Sequence, residues 1–289
     1  MKKRILIKVL AGIMAFAFAF VGCGTTDGSN SGTSESSTAA SSVATSSTDT
    51  SWEKVKEKGE FVLGLDESFP PMGFRDDNNE IVGYDIDLAK EVASRLGVNL
   101  KLQPINWNSK DLELNTGNID CIWNGFTIKE DRKVNILFSD PYMKNQQVLV
   151  VMADSAYNTQ ADLAGKTVAL QATSSASDAL NSKADFKASL KEVIELPDNT
   201  KCLMELQTKN VEAVAMDEIV ARYFVQMKGD KYRILDEGLA AEEYGIGFRK
   251  ADIQLMTKVN DTLKDMAKDG KIAEISNKWF GKDISTVNK

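Results

Sequence analysis

Histidine does not occur anywhere in the 289 residues. That removes the commonest general base and the commonest metal ligand together, so an enzymatic reading has to rest on carboxylates. Cysteine is almost as scarce: beyond Cys23 there are only Cys121 and Cys202. Positive charge is in deficit, with 35 Lys and Arg against 42 Asp and Glu and a formal net charge of −7. A surface of that sign makes nucleic acid a poor partner. Long hydrophobic runs are missing as well. The apolar run Val9 to Val21 is too short and too sharply ended for a comfortable membrane span.

What stands at the N-terminus is instructive. Met1-Lys-Lys-Arg4 ahead of that run is a charged n-region, so residues 1–22 read as a secretory signal peptide. Gly22-Cys23 resembles a lipoprotein cleavage box, with Phe20 where leucine is usual. In such a box the cysteine becomes the diacylated first residue of the mature chain; a freely secreted chain and an uncleaved anchor are the alternatives. Residues 23–51 are then a tether. From Gly24 to about Ser51 the chain is almost wholly Ser, Thr, Gly, Ala and Asp, a composition that cannot bury enough apolar surface to offset its ordering entropy. A lipid on a flexible tether suits the outer face of a Gram-positive cell membrane, where no outer membrane retains a soluble binder.

With 43% hydrophobic and 27% charged residues, the chain from Trp52 onward can build two modest lobes, each with its own core. Phe61-Val-Leu-Gly-Leu65 suits a buried parallel strand, and Asp66-Glu-Ser-Phe-Pro-Pro71 disfavours both helix and strand. A loop at a strand's C-terminal end is the usual ligand position in α/β sheets. Asp85 can cap a helix whose Ile86, Ala89, Val92, Ala93 and Leu96 recur at helical spacing and which Gly97 ends. Val98, Leu100 and Leu102 alternate as a strand, and a loop holding Trp107 and a helical piece near Asp111 to Asn115 lead to a strand at Ile119 to Trp123. This βαβ series predicts a parallel sheet covered by helices. After an extended Val148 to Val151 the pattern begins again: strand Thr167 to Leu170, polar turn Gln171 to Ser175, helix Ala176 to about Phe186, strand at Val193, helix Thr200 to Lys209. The strand Val211 to Ala215 then delivers Asp217, Tyr244 to Arg249 recrosses, and helices near Ile253 to Lys268 and Lys271 to Trp279 close the first lobe.

The chemistry concentrates between Ile119 and Tyr142. There the strand stops at Asn124-Gly125, Thr127 follows, and Arg132 comes after a short helical turn. The glycine lets a ligand approach the backbone, its carbonyl and the Thr127 hydroxyl give directional hydrogen bonds, and a guanidinium grips a carboxylate bidentately. These are parts for holding a zwitterion. The plain alternative is an ordinary strand and turn with a surface arginine.

The same stretch, Asn124-Gly-x-Thr127, then Arg132 and Phe138-Ser-Asp-Pro-Tyr142, resembles the extracellular solute-binding lipoproteins of polar amino acid ABC transporters, family 3 of the periplasmic-binding-protein-like II class. Asp66-x-x-Phe69-Pro-Pro-Met-Gly-Phe74, Gly83-Tyr-Asp-Ile-Asp-Leu-Ala89, Gly245-Ile-Gly-Phe-Arg-Lys250 and Lys278-Trp-Phe-Gly281 match in the family's order, covering nearly all of Trp52 to Lys289. The resemblance implies an α/β, two-lobed type II fold, each lobe a mainly parallel sheet covered by helices and joined by a two-strand hinge. Lobe 1 then takes residues 52–143 and 244–289, and residues 144–243 hold the hinge crossings and lobe 2. It also implies a monomer without cofactor, metal or catalytic residue, which captures a free amino acid between closing lobes and delivers it to a membrane permease.

On this reading Arg132 holds the ligand's α-carboxylate, helped by Thr127 and the Thr173-Ser174 turn of the opposite lobe. Asp217 takes the α-ammonium with the Gly125 carbonyl as second acceptor, since a buried ammonium left unpaired is too costly; a helix N-cap is its alternative role. Phe69 and Trp107 stand where the family often sandwiches the ligand side chain, or are plain core. Asp66 stands where related proteins contact the far end of a polar side chain. An acceptor there favours a polar uncharged or cationic amino acid, cystine included, over Glu or Asp. Asn124 and Ala172 depart from the serine and glycine often found at their positions. Cys121 and Cys202 read as buried free thiols, because a disulfide, the alternative in an exported chain, would tie together lobes that must move. The rivals are a cyclic dehydratase, a receptor domain, for which the residues past Trp279 are too few to span a membrane, and a surface adhesin, which would not need Arg132 and Asp217 to converge.

Overall fold

A computed structural model describes residues 49–289, so the expected signal peptide, the expected lipidation at Cys23 and nearly all of the expected tether lie outside the described residues. Ser51, read as the tether's end, instead opens the first helix, α1 (Ser51–Lys58). It is buried, and its hydroxyl accepts the Leu255 N–H (3.1 Å), so the fold begins slightly earlier than composition suggests.

The apolar run after it becomes β1 (Glu60–Leu65), buried from Phe61 to Leu65 as a strand covered on both faces must be. Asp66 to Pro71, expected to be neither helix nor strand, holds the two-residue strand β2 (Ser68–Phe69), which with β3 (Gly73–Arg75) and β4 (Ile81–Val82) just beyond it forms a small antiparallel sheet. Then follow α2 (Tyr84–Leu96), ended by Gly97 in the left-handed region, and β5 (Asn99–Pro104). A 3-10 turn at Trp107–Ser109 leads into α3 (Lys110–Asn115), β6 (Cys121–Thr127), α4 (Glu130–Lys133) and β7 (Ile136–Phe138). The long β8 (Met143–Met152) precedes β9 (Thr167–Gln171). The single helix expected next is two, α5 (Ser175–Ser182) and α6 (Ala184–Ser189), because Lys183 leaves helical geometry (φ −101°, ψ 60°). The chain finishes with β10 (Glu192–Leu196), α7 (Asn199–Gln207), β11 (Ala213–Asp217), α8 (Glu218–Lys228), β12 (Tyr232–Ile234), β13 (Ala240–Arg249), α9 (Ile253–Lys268) and α10 (Lys271–Phe280).

The two halves share one sheet in the order β10-β9-β11-β8-β13-β6-β1-β5, with β7 and β12 added on β13 and β8. Pairings are parallel on the outer flanks, β1 with β5 and β6 on one side and β9 with β10 and β11 on the other. The middle is antiparallel. There β8 and β13 run against each other from Met143 opposite Tyr244 to Gln147 opposite Ala240, and they are the two strands that pass between the flanks. The type II architecture is as expected, but the two flanks share one continuous sheet with an antiparallel middle instead of one sheet each, and β2, β3 and β4 form a separate antiparallel sheet.

One apolar cluster runs unbroken from Leu63 and Trp123 through Tyr244 to Met216 and Val220. Each fully buried Leu or Ile in it contributes about 1.5–3 kcal/mol. Cys121 on β6 and Cys202 on α7 are free and buried, and burial raises both thiols, Cys202 to about 12. Among the described residues no helix is long and apolar enough to cross a membrane.

Two local expectations need correction. The strand at Ile119 does not stop at Asn124-Gly125: β6 begins at Cys121 and continues to Thr127, with Gly125 at φ +57° and a register break against β13 between Gly245 and Gly247. A bulge that only glycine tolerates easily reads, in sequence, like a strand end. Asp85 does not cap α2. The Tyr84 and Asp85 N–H groups donate to the Pro71 and Met72 carbonyls (2.8 and 3.0 Å), the helix starts two residues earlier after Gly83, and the Asp85 carboxylate turns into the core.

Candidate ligand-binding cleft

The C-terminal ends of β6, β9 and β11 converge where β8 and β13 cross, the position an α/β sheet offers a ligand. Phe69, Trp107, Gly125, Thr127 and Arg132 from one flank face Gln171, Ser174, Ser175 and Asp217 from the other around one cavity. It is nearly shut, at about 10 Å³. That is room for about one water, so an amino acid enters only when the flanks part.

At one end stands Arg132. The short helix α4 carries it back over β6, where its Nη1 donates to the Thr127 carbonyl (2.9 Å) and its Cζ lies 4.6 Å from the Phe126 ring centre. Burial of the guanidinium pulls its pKa down, yet among the described residues no carboxylate lies within salt-bridge distance of it. The remaining N–H groups of its fork therefore suit an anion. Beside it the Thr127 hydroxyl meets the Ser175 hydroxyl (3.1 Å), and α5 begins at Ser175 with no side chain capping it. Free N–H groups at a helix N-terminus add to the pull on a negative group.

At the other end stands Asp217, on the last residue of β11. Its Oδ1 accepts from the Tyr244 hydroxyl (2.6 Å), Gln147 Nε2 (2.8 Å) and Asn145 Nδ2 (2.9 Å). No cation pairs with it among the described residues. Burial first, and the nearby Glu242 second, raise its carboxyl well above the usual range. Although Asp217 precedes α8, its side chain makes no capping bond. It is turned to the cavity instead.

Between these ends Gly125 leaves no room for a side chain: a Cβ there would lie 2.9 Å from Phe69 Cε1 and 3.0 Å from Tyr244 Cε2. Phe69 and Trp107 both line the cavity, Trp107 edge-on to Phe126 at 5.7 Å. Three expected residues do not line it. Asp66 is held behind Gln171, whose Nε2 donates to its Oδ2 (2.8 Å). The Asn124 amide turns back to accept the Asp66 N–H (2.8 Å). Thr173 sits at the rim, its hydroxyl near Asn108 Oδ1 (3.1 Å) and Lys110 Nζ (3.3 Å).

Sequence reasoning missed Gln171 and Ser175, which lay within the polar turn from which only Thr173 and Ser174 were chosen. It also missed Asn145, Gln147, Tyr244 and Glu242, whose crossing-strand register carried no local signal. Lys110, on α3, was missed because its partner Thr173 lies 63 residues away in sequence. It is buried, with its amine lowered to about 8 by burial, and it joins the two flanks through the Thr173 carbonyl (3.4 Å).

The sequence pattern of the bacterial extracellular solute-binding proteins, family 3, matches residues 61–282. The L-cystine-binding protein TcyJ of Escherichia coli (strain K12) is 30% identical over 234 residues, 80% of this chain and 86% of that protein. The arginine-binding extracellular protein ArtP of Bacillus subtilis (strain 168) is 30% identical over 285 residues, 97% of this chain and 98% of that one. An ABC uptake transporter substrate-binding protein from Streptococcus pneumoniae, solved with bound histidine, is similar at a TM-score of 0.80 and 36% identity, over 83% of this chain and 99% of that one. A match that spans both flanks of the sheet and the cleft between them settles the relationship: the chain belongs to the bacterial extracellular solute-binding proteins of family 3.

Proposed function

We propose that this protein captures a free amino acid for an ABC importer and hands it to the membrane permease. One observation carries the reading. Arg132 has no carboxylate partner and Asp217 no cation among the described residues, yet both face one cavity from opposite flanks. A zwitterion supplies both missing charges. Its α-carboxylate goes to Arg132, Thr127 and the Ser174-Ser175 turn, and its α-ammonium to Asp217 and the Gly125 carbonyl. Residues 52–143 with 244–289 act as one lobe and those between the crossings as the other, closing about β8 and β13 in a hinge motion. We read the chain as a binder and not an enzyme, since the cleft carboxylates already serve the ligand. The N-terminal pattern supports a tether through Cys23 to the outer face of a Gram-positive membrane, and the family resemblance supports a monomer.

The ligand side chain points towards Gln171 and, behind it, Asp66. Burial, and after it the charges of Asp198 and Glu67, raise the Asp66 carboxyl, so this end is acidic and partly dry. A polar uncharged or cationic amino acid is favoured, with cystine among the candidates; the related proteins above are named for cystine and arginine or hold histidine. L-Glutamate is expected to bind at least about tenfold more weakly than the best of L-arginine, L-glutamine, L-histidine and L-cystine, because a carboxylate there meets like charge. Calorimetric titration of the set checks this, and glutamate binding tightest sinks the preference. A protein whose melting temperature none of the common amino acids raises would overturn the whole reading.

A further inference from the structure

The register break in β6 creates a specific need. Gly245 lies opposite Phe126 and Gly247 opposite Ile122, while β1 pairs with β6 only at Cys121 and Ile122. Among the described residues Gly125 therefore has no strand partner on either side, and a buried N–H left orphaned is costly. Asp85 supplies the acceptor. Its Oδ2 takes the Gly125 N–H at 2.7 Å and the Tyr142 hydroxyl at 2.9 Å. Tyr142 directly precedes β8, and its own N–H donates to the Tyr244 carbonyl at 3.0 Å. One carboxylate from α2 thus fastens both the ligand-facing bulge and the start of the crossing strand.

Among the described residues no cation offsets the burial of Asp85. It is fully buried, and the groups around it are Tyr142, Trp123 and Tyr84, none of them a cation. Burial pushes the carboxyl up to about 7 despite the two hydrogen bonds. A fold retains so costly a group where geometry is worth more than burial.

We propose that Asp85 is a positioning residue for ligand capture, holding the Gly125 bulge and the hinge entry at Tyr142 in binding geometry. The affinity part rests on the function proposed above; the geometric part does not. The test compares the full chain with Asp85→Asn, Asp85→Ala and Tyr142→Phe, using amide hydrogen exchange by NMR and titration with L-arginine. Asparagine keeps an acceptor oxygen, so its Gly125 protection and arginine affinity are expected to stay within about threefold of wild type. Alanine is expected to speed exchange at Gly125 and weaken arginine binding, each by about 10- to 100-fold, with the Leu63 amide unchanged. Where the alanine variant does not fold, Tyr142→Phe deletes a single donor and is expected to speed exchange at amide 142 by about 3- to 10-fold. Unchanged protection at Gly125 in Asp85→Ala, or at amide 142 in Tyr142→Phe, overturns the proposal. If L-arginine fails to bind wild type, arginine is struck from the candidate ligands while the exchange results still decide the role of Asp85.

Discussion

Arg132→Ala is expected to weaken amino acid binding by about 30-fold to a few thousand-fold, the equivalent of about 2–5 kcal/mol for truncating one partner of a buried charge pair. The size follows from the surroundings of the guanidinium. It is desolvated, so its attraction to a ligand carboxylate is poorly screened, and among the described residues no carboxylate lies within salt-bridge distance of it. The fold itself loses only the bond to the Thr127 carbonyl and the stacking on Phe126, together about 2 kcal/mol at the lower end of the usual ranges. Arg132→Lys separates charge from geometry: it keeps the cation but not the planar fork, and is expected to recover part of the affinity. Calorimetry with the preferred ligand and thermal melts of the empty protein check both halves. Unaltered affinity in the alanine variant would remove Arg132 from the site.

Asp217→Asn is expected to cost a similar 30-fold to a few thousand-fold, about 2–5 kcal/mol, and to change how the protein closes. The amide oxygen of asparagine can still accept from Tyr244, Gln147 and Asn145, so the fold survives and only the charge is lost. Asp217 lies on the β11 flank and Arg132 on the β6 flank, and a ligand shifts the open–closed equilibrium only by its differential affinity for the two states. Contacts made only when both flanks meet supply that difference. Small-angle scattering of wild type and variant, each with and without saturating ligand, should show less contraction in the variant. An equal contraction in both would show that Asp217 does not govern closure. There is also a proton consequence. Burial and Glu242 raise the empty-site carboxyl, whereas a bound ammonium lowers it, so below the raised value binding releases a proton and affinity climbs with pH. Asp217→Asn should flatten that climb.

Much of this architecture was legible in the chain because it depends on local pattern. Phe61 to Leu65 is apolar on both faces, Gly97 permits the left-handed turn that ends α2, and the spacing of Thr127 and Arg132 is set by one short turn. The βαβ repeats then dictate parallel flanks, and sequence order places Arg132 before the first crossing and Asp217 between the two. Exclusions were equally local: without histidine the commonest acid–base chemistry has no agent.

What the chain by itself left undecided was each contact made at long range. Whether Asp85 caps a helix or satisfies Gly125 depends on a bulge set by β13, far downstream in sequence. Whether Asp66 meets a ligand directly depends on Gln171 reaching across from the other flank. Gln147 joins the Asp217 cluster because antiparallel pairing puts those two residues opposite each other, and Tyr244 because β13 crosses beside them. A side chain's type and its neighbours in sequence fix what it can bond; which of those bonds it makes is decided only when strand register and flank closure bring partners within about 3 Å.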